Sequence, residues 1–492
     1  MTPGPIRSIP YYHGTEMMRS GSILLLSCYE LGHQPLGIAW PLAFLRRAGF
    51  QPVALDLAVE KLDLEKVSQA KLVGISVPMH TALRLGVRVA ERVRGINPCC
   101  HICFFGLYAN LNSDYLLSTV ANSVIGGEIE EALVELAKSL ESDKPIQAGG
   151  VSLKGQLQDP LLKKLDFPLP ERRSLPTLKN YAHLAINGER RLAGEVEASR
   201  GCKHLCLHCP IPPVYGGRFF VVPKEVVMED IRGLVRAGAR HVTFGDPDFL
   251  NGPRHSLAIV RTMHEEFPAI TFDFTTKIEH ILKCRQIFPE LTRLGCLFVI
   301  SAVESLSDRV LSNLRKGHTR QDVFEALDIL RKAGIALRPS WVAFTPWTTL
   351  EDYLDMLDTV DKQGLVDHVD PVQFSIRLLV PPGSSLLKGS DIMKYVHELD
   401  ESNFYYRWFH PDPRMDTLHK EVSLRVEDAS SRQEDTFATF EAVRSLALGS
   451  LGRQESPKVL RGQRHGEQPP RLTESWFCCA EPTREQFAPL AV

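Results

Sequence analysis

The sequence is poor in several features that would fix a function class at once. It has no strongly basic block, and 57 Lys and Arg against 59 Asp and Glu leave a formal charge of −2. A nucleic-acid surface needs a concentrated basic stripe, so nucleic acid is not an expected partner. Long hydrophobic runs are missing too: Ile23 to Leu26 is too short to span a bilayer, and Met1 to Ser20 has no apolar signal-peptide core. The expectation is a cytosolic protein with no membrane partner. What remains is ordinary for globular chains, 44% hydrophobic and 24% charged. At 492 residues it has room for roughly three domains. Eleven cysteines in a reducing compartment point to metal or thiol chemistry rather than disulfides.

The stretch that organises the chain is Ser199-Arg200-Gly201-Cys202-Lys203-His204-Leu205-Cys206-Leu207-His208-Cys209-Pro210. Its cysteines have C-x3-C-x2-C spacing and follow an apolar, strand-like run, Glu195 to Ser199. Thiolates hold iron–sulfur clusters. Three on one short loop can bind three irons of a 4Fe–4S cube and leave the fourth open to a small chelating molecule. A zinc site would want four ligands in closed tetrahedral geometry, and His204 or His208 could supply one. A disulfide reading fails on parity.

This spacing resembles that of the radical S-adenosylmethionine (SAM) superfamily. The resemblance implies a 4Fe–4S cluster on Cys202, Cys206 and Cys209, with SAM chelating the open iron through its amino and carboxylate groups. It also implies a cellular electron donor such as flavodoxin or ferredoxin.

Before the loop, short apolar runs (Ser22–Cys28, Pro52–Leu57, Leu72–Ser76, Ile102–Phe105, Ser123–Ile125) alternate with helical patterns, clearest in Ile38–Ala48 and Thr81–Arg94. The alternation predicts a doubly wound, Rossmann-like α/β domain over 1–146. Ligands of such sheets bind at the strand carboxyl ends. Glycines cluster there, in Gly32 to Gly37, Gly106 and Gly126-Gly127, and permit close backbone approach. A domain of this kind before a radical SAM core resembles the cobalamin-binding domain of cobalamin-dependent members, so cobalamin is a candidate third cofactor. The D-x-H-x-x-G signature is absent: Leu31 and Leu36 flank His33 where the aspartate and glycine belong. The alternative is a docking domain with an empty crevice.

A proline-punctuated linker is expected over 147–190. Over 191–395 the strand–helix pattern returns: strands at His241–Gly245, Ile270–Thr276, Leu297–Ala302, Ala336–Phe344 and Val372–Leu379, helices at Pro223–Gly238, Arg254–Phe267 and Arg320–Ala333. With the strand before the cysteines, this predicts a partial (β/α)6 barrel with its chemistry at the strand carboxyl ends. Phe244-Gly245-Asp246-Pro247-Asp248 resembles the Gly-Gly-Glu-type motif that holds the SAM amino group, and Asp246 or Asp248 would replace its glutamate. Ser301 to Ser305, containing Glu304, resembles the G-x-E-S of radical SAM methyltransferases, where Glu304 would bond SAM hydroxyls or a partner arginine. Leu314 to Thr319 resembles the family's R-K-G-H/N-T segment. Arg338 could pair with the SAM carboxylate. A turn at Asp246–Asp248 and surface ion pairs at Glu304 and Arg338 are the plainer alternatives.

Residues 396–492 read as a C-terminal helical cap and tail, with mobility expected around Gly449 to Arg471. The tail carries Trp476-Phe477-Cys478-Cys479-Ala480-Glu481-Pro482. A vicinal dithiol can clamp a thiophilic atom such as trivalent arsenic. The tail resembles the C-C-A-E-P ending of a small radical SAM group whose relatives make arsinothricin. That resemblance implies transfer of the 3-amino-3-carboxypropyl group of SAM to arsenite, a small-molecule substrate held by Cys478 and Cys479. A bystander cysteine pair is the plainer reading of that tail. The runner-up function is a cobalamin-dependent radical SAM methyltransferase acting on an unactivated carbon, and a third class is a zinc- or cluster-containing regulator.

Overall fold

The short apolar runs fold as parallel strands, and in the computed structural model they sit in two units. Residues 16–389, 391–453, 468–474 and 480–487 are described. One unit comprises Met1–Glu30, Pro35–Pro176 and Arg484–Val492, the other Leu31–Gln34 and Thr177–Thr483.

In the first unit, β1 (Ile23–Ser27), β2 (Val53–Asp56), β3 (Leu72–Ser76), β4 (His101–Phe105) and β5 (Ser123–Ile125) run parallel, and β6 (Val151–Leu153) closes the edge antiparallel. The order is β2-β1-β3-β4-β5-β6. Every residue of β1, β3 and β5 is buried. Burial on both faces is why these strands read as continuous apolar runs rather than alternating ones. Each such Leu, Ile or Val contributes about 1.5–3 kcal/mol by leaving water. The strand-end glycines have a use that the sequence did not predict: the close approach is made by the chain itself. A Cβ on Gly106 (φ 110°) would lie 3.0 Å from the Val77 carbonyl oxygen, and one on Gly127 (φ 79°) would collide with the Leu161 carbonyl.

In the second unit, β7 (His183–Ile186) pairs antiparallel with β8 (Glu189–Val196). The expected run into the cysteine loop breaks at Glu197-Ala198. It resumes as β9 (Ser199–Gly201), which pairs with β10 (Phe219–Val221). From β8 the parallel sheet continues through β11 (His241–Phe244), β12 (Thr271–Thr276), β13 (Cys296–Glu304) and β14 (Ala336–Trp341), curled as a half-barrel. Helices Lys224–Arg236, Pro253–Glu266 and Arg320–Ala333 connect these strands. The last begins at a Thr319/Asp322 capping box and ends on left-handed Gly334, the stop signal legible in the sequence.

The sixth strand expected at Val372–Leu379 is not formed. Pro371–Ser375 is a 3-10 turn, and Phe344 pairs with Arg377 as a single parallel bridge. Pro371 has no N–H to give a neighbouring strand. The Trp341 N–H, which a sixth strand's carbonyl would take, donates instead to Gln373 Oε1 at 3.0 Å. The buried Tyr353 hydroxyl donates to the Phe374 carbonyl at 2.9 Å and holds the turn inward.

Beyond it, β15 (Val396–Asp400) and β16 (Tyr405–Trp408) form a hairpin, and helices Pro413–Ser431 and Thr436–Ser450 pack through Leu418, Val422, Phe440 and Val443. Two residues, β17 (Arg471–Leu472), return to pair antiparallel with β7. Most of the stretch where mobility is expected lies outside the described residues. Among the described residues no helix is long and apolar enough to cross a membrane.

Candidate active site

The cysteine loop leaves the carboxyl end of the sheet between β9 and β10. Gly201 (φ 74°) makes the entry turn, and a Cβ there would lie 2.5 Å from the Arg218 carbonyl oxygen. Cys202 and Cys206 are buried and Cys209 is half-buried, all three with free thiols. The Cys209 thiol is pushed well above its usual range by burial, with the Cys206 and Cys202 charges adding to the shift and Lys316 opposing it. Three free thiols that feel one another's charge, with one buried cation acting on them, fit a group that takes three thiolate ligands and carries negative charge.

Asp246 and Asp248, one or the other of which is expected to meet SAM, are both buried beside this loop. Asp246, 2% exposed, accepts from Ala198 N at 2.9 Å and from Ser199 Oγ at 2.5 Å, which fixes the corner between β8 and β9. Gly245 sits where a Cβ would strike the Glu195 carboxylate. Asp248 is fully buried. It accepts from Leu250 N, Thr276 Oγ1 and His280 Nδ1, and His204 Nε2 lies 3.4 Å away. Burial alone would raise Asp248, but His204, His280 and Thr276 outweigh it and hold the carboxyl at about 2. His204, Asp248 and His280 bring three ligand atoms within 4.8 Å. The Lys277 ammonium, 3.2 Å from His204 Nδ1, already supplies positive charge there, so we read the set as a hydrogen-bonded brace.

Glu304 ends β13 at a shift of register and has φ 65°. A bulge re-aims a side chain in this way, and the left-handed backbone costs about 1–3 kcal/mol in a residue other than glycine. Its partner is not an arginine: Glu304 Oε1 accepts from Lys316 Nζ at 3.2 Å and lies 3.4 Å from His208 Nε2. Burial pushes Glu304 up, but Lys316 and His208 prevail and hold it at about 2. Arg338 on β14 donates through Nη2 to Asp370 at 2.8 Å, while its buried Nη1 has no hydrogen-bond partner among the described residues. Ser301 Oγ, on neighbouring β13, is likewise without one. Unsatisfied buried donors are costly and are found where a ligand completes them.

Several members of this constellation were not singled out in the sequence: Ser199, Asn251, Lys277, His280 and the pairing role of Lys316. Asn251 Oδ1 accepts from Lys203 N at 3.3 Å and stands 4.0 Å from Cys202 Sγ. His280 had a legible signal, a histidine in the first turn after a barrel strand. Cys478 and Cys479 lie outside the described residues.

Asp246 gives a pH test. Burial raises its carboxyl from 3.8 to about 7, with Ser199 and Ala198 pulling the other way. A folded-state value above the unfolded one favours folding most below about pH 4 and loses that advantage as the pH rises through about 7. Asp246→Asn keeps an acceptor for Ala198 and offers a donor to Ser199. The parent should lose up to about 4 kcal/mol relative to this variant between those limits. Urea midpoints against pH report it, and parallel profiles would refute the assignment.

Residues 196–365 match the radical SAM superfamily. The chain is 26% identical to the hopanoid C-3 methylase of Methylococcus capsulatus over 324 residues, 64% of this chain and 62% of that protein, and so spans less than two thirds of it. It is 24% identical to an uncharacterized methyltransferase of Pyrococcus horikoshii over 364 residues, 70% of this chain and 76% of that one. Among solved structures, the cobalamin-dependent radical SAM enzyme OxsB, with aqua-cobalamin bound, matches at a TM-score of 0.65 and 15% identity, over 86% of this chain and 71% of that one. The radical SAM methyltransferase TsrM of Kitasatospora setae matches at 0.63 and 14%, over 88% and 96%. The loop, the half-barrel and the match over residues 196–365 agree: the chain carries a radical SAM domain, a kind of domain whose cofactors are a 4Fe–4S cluster and SAM.

Proposed function

We infer that this enzyme is a cobalamin-dependent, methyltransferase-like radical SAM enzyme acting on a small molecule. The observation that carries the reading is the joint presence of both folds: a doubly wound sheet of flavodoxin-like strand order and a cysteine-bearing half-barrel. The named relatives, a methylase and a methyltransferase, support the same class.

When bound, the reduced cluster supplies one electron to the SAM sulfonium and a carbon–sulfur bond breaks. The chain's own residues prepare that event. Cys202, Cys206 and Cys209 would hold three irons. Asp246 fixes the corner that leads into the cysteine loop by hydrogen bonds to Ala198 and Ser199, and Asp248 stands 3.4 Å from His204 within it. Arg338, with one guanidinium nitrogen free among the described residues, holds the SAM carboxylate by a charge-assisted bond, and Ser301 adds a neutral donor. Lys316 offsets thiolate charge, and Glu304 holds Lys316 in place. For cobalamin the residues fit less well. His33 is buried but lacks the flanking Asp and Gly of the family signature, so no step is assigned to it.

The competing reading transfers the 3-amino-3-carboxypropyl group to trivalent arsenic. It rests on the C-C-A-E-P tail. The described end of that tail, Ala480 to Thr483, lines a cavity of ≈ 420 Å³ with Arg377, Trp408 and His419. Anaerobic purification, cobalt and iron analysis, and mass spectrometry of SAM products separate the two. Methyl transfer predicts bound cobalt and S-adenosylhomocysteine. 5′-Methylthioadenosine from cobalt-free protein, in the presence of arsenite, would overturn it in favour of arsenic.

A further inference from the structure

The cysteine loop has an outer face as well as an inner one. Leu205, between Cys202 and Cys206, is 58% exposed. A lone exposed leucine is unremarkable, but the frame around this one is specific. On one side Gly216 (φ 58°) and Gly217 (φ 82°) lay their turn flat beside the loop, and a Cβ on Gly217 would come 3.3 Å from Leu205 Cδ2. On the other side Leu207 N donates to the Leu314 carbonyl at 3.0 Å and ties the loop to residues 314–317.

These three segments, 203–209, 216–218 and 314–317, contain no Asp or Glu. Their exposed ionisable residues are Lys203, Arg218 and Arg315, all cations. Lys203 Nζ is steadied by the Asn251 carbonyl at 2.8 Å and the Phe219 ring at 4.5 Å. Arg218 and Arg315 have no carboxylate partner among the described residues. Of the acids beside residues 314–317, Glu279 is taken by Lys283 at 2.6 Å and Lys277 at 3.4 Å, and Glu304 is buried against Lys316 at 3.2 Å. A chain with net charge −2 thus shows exposed cations and an exposed leucine on the loop that carries the three cysteines and on the two segments beside it.

The chemistry says what such a face is for. Resting on the cluster reading above, each reductive cleavage needs one electron: the cluster gains it, a donor loses it, and no atom is transferred. An electron reaches a buried cluster through its least covered side. We propose that Leu205, rimmed by Lys203, Arg218 and Arg315, is the docking face for an acidic one-electron carrier protein. Redox encounters use small, weak interfaces, and opposite charge mainly speeds the encounter.

The test uses the full-length enzyme with its cluster, mixed anaerobically with a reduced, acidic flavodoxin, and follows cluster bleaching. In the parent the bimolecular rate should fall steeply as salt rises. In Arg218→Glu/Arg315→Glu it should fall about tenfold or more at low salt. Reduced methyl viologen, a small cation, should reduce both proteins without such a fall. A flavodoxin rate in the parent that is indifferent to salt would overturn the proposal, as would a double variant reduced like the parent or one equally slowed with viologen. Iron content and the viologen-reduced electron paramagnetic resonance signal report the cluster itself, so loss of that reading is seen separately.

Discussion

Cys206→Ser protein, purified and reconstituted without oxygen, should show no 4Fe–4S resonance and should cleave SAM more than about 10³-fold more slowly, about 4 kcal/mol in barrier height. On the proposed reading each thiolate would hold one iron, so losing one would leave that iron without its ligand. Nearby His204 and His208 each have one ring nitrogen engaged, His204 Nδ1 by Lys277 and His208 Nε2 by Glu304. The loop should loosen as well, since ligand binding is part of its folding energy. Cys99→Ser, an exposed thiol in the other unit, should keep full iron and serves as the control. Iron and sulfide analysis with paramagnetic resonance decides it. An intact cubane signal in Cys206→Ser would show that the cluster is held elsewhere.

Lys316→Met should destabilise the folded protein by about 3–5 kcal/mol, the usual cost of stranding one member of a buried ion pair. Lys316 is 2% exposed, Glu304 is 8% exposed, and their contact is 3.2 Å. Without the ammonium, His208 alone stands against burial, and Glu304 should take up a proton well above its present value. The double variant Lys316→Met/Glu304→Gln leaves no buried charge and should recover a large part of the loss. Lys316 also sits in the field of Cys206 and Cys209. Removing it should shift the cluster's midpoint potential downward, because the reduced cluster carries one more negative charge. Urea unfolding and a potentiometric titration measure the two effects independently. A single variant as stable as the parent, or a double variant no better than the single, would refute the pairing argument.

Legibility in the sequence followed the range of the interaction. Leu72–Ser76 and Ser123–Ile125 were read at their observed limits, because a strand buried on both faces writes its own apolar run. The cysteine spacing was equally plain, being confined to eight residues of one loop. Val372–Leu379 failed as a strand for a non-local reason: the backbone donor it needed on Trp341 was taken by the Gln373 side chain. The segment around Asp246 and Asp248 offers either acid as a SAM ligand, while the bonds of Asp246 to Ala198 and Ser199 span 48 and 47 positions, and no pattern along the chain announces such a bond. Glu304 and Lys316 each stood in a recognisable segment, but their pairing needs the bulge that turns Glu304 inward.

The pairing of β17 with β7 has a consequence for the order of events at the ribosome. The strand that borders the half-barrel meets its neighbour only after about 290 further residues have been made, a separation that Thr473 and His183 record directly. Until then β7 offers an open edge, the kind of surface that recruits other chains. The other unit also includes described residues from the far end, 484–487. Neither body is a continuous length of polypeptide, and a nascent chain halted before residue 471 would expose its unfinished border to whatever strand it meets first.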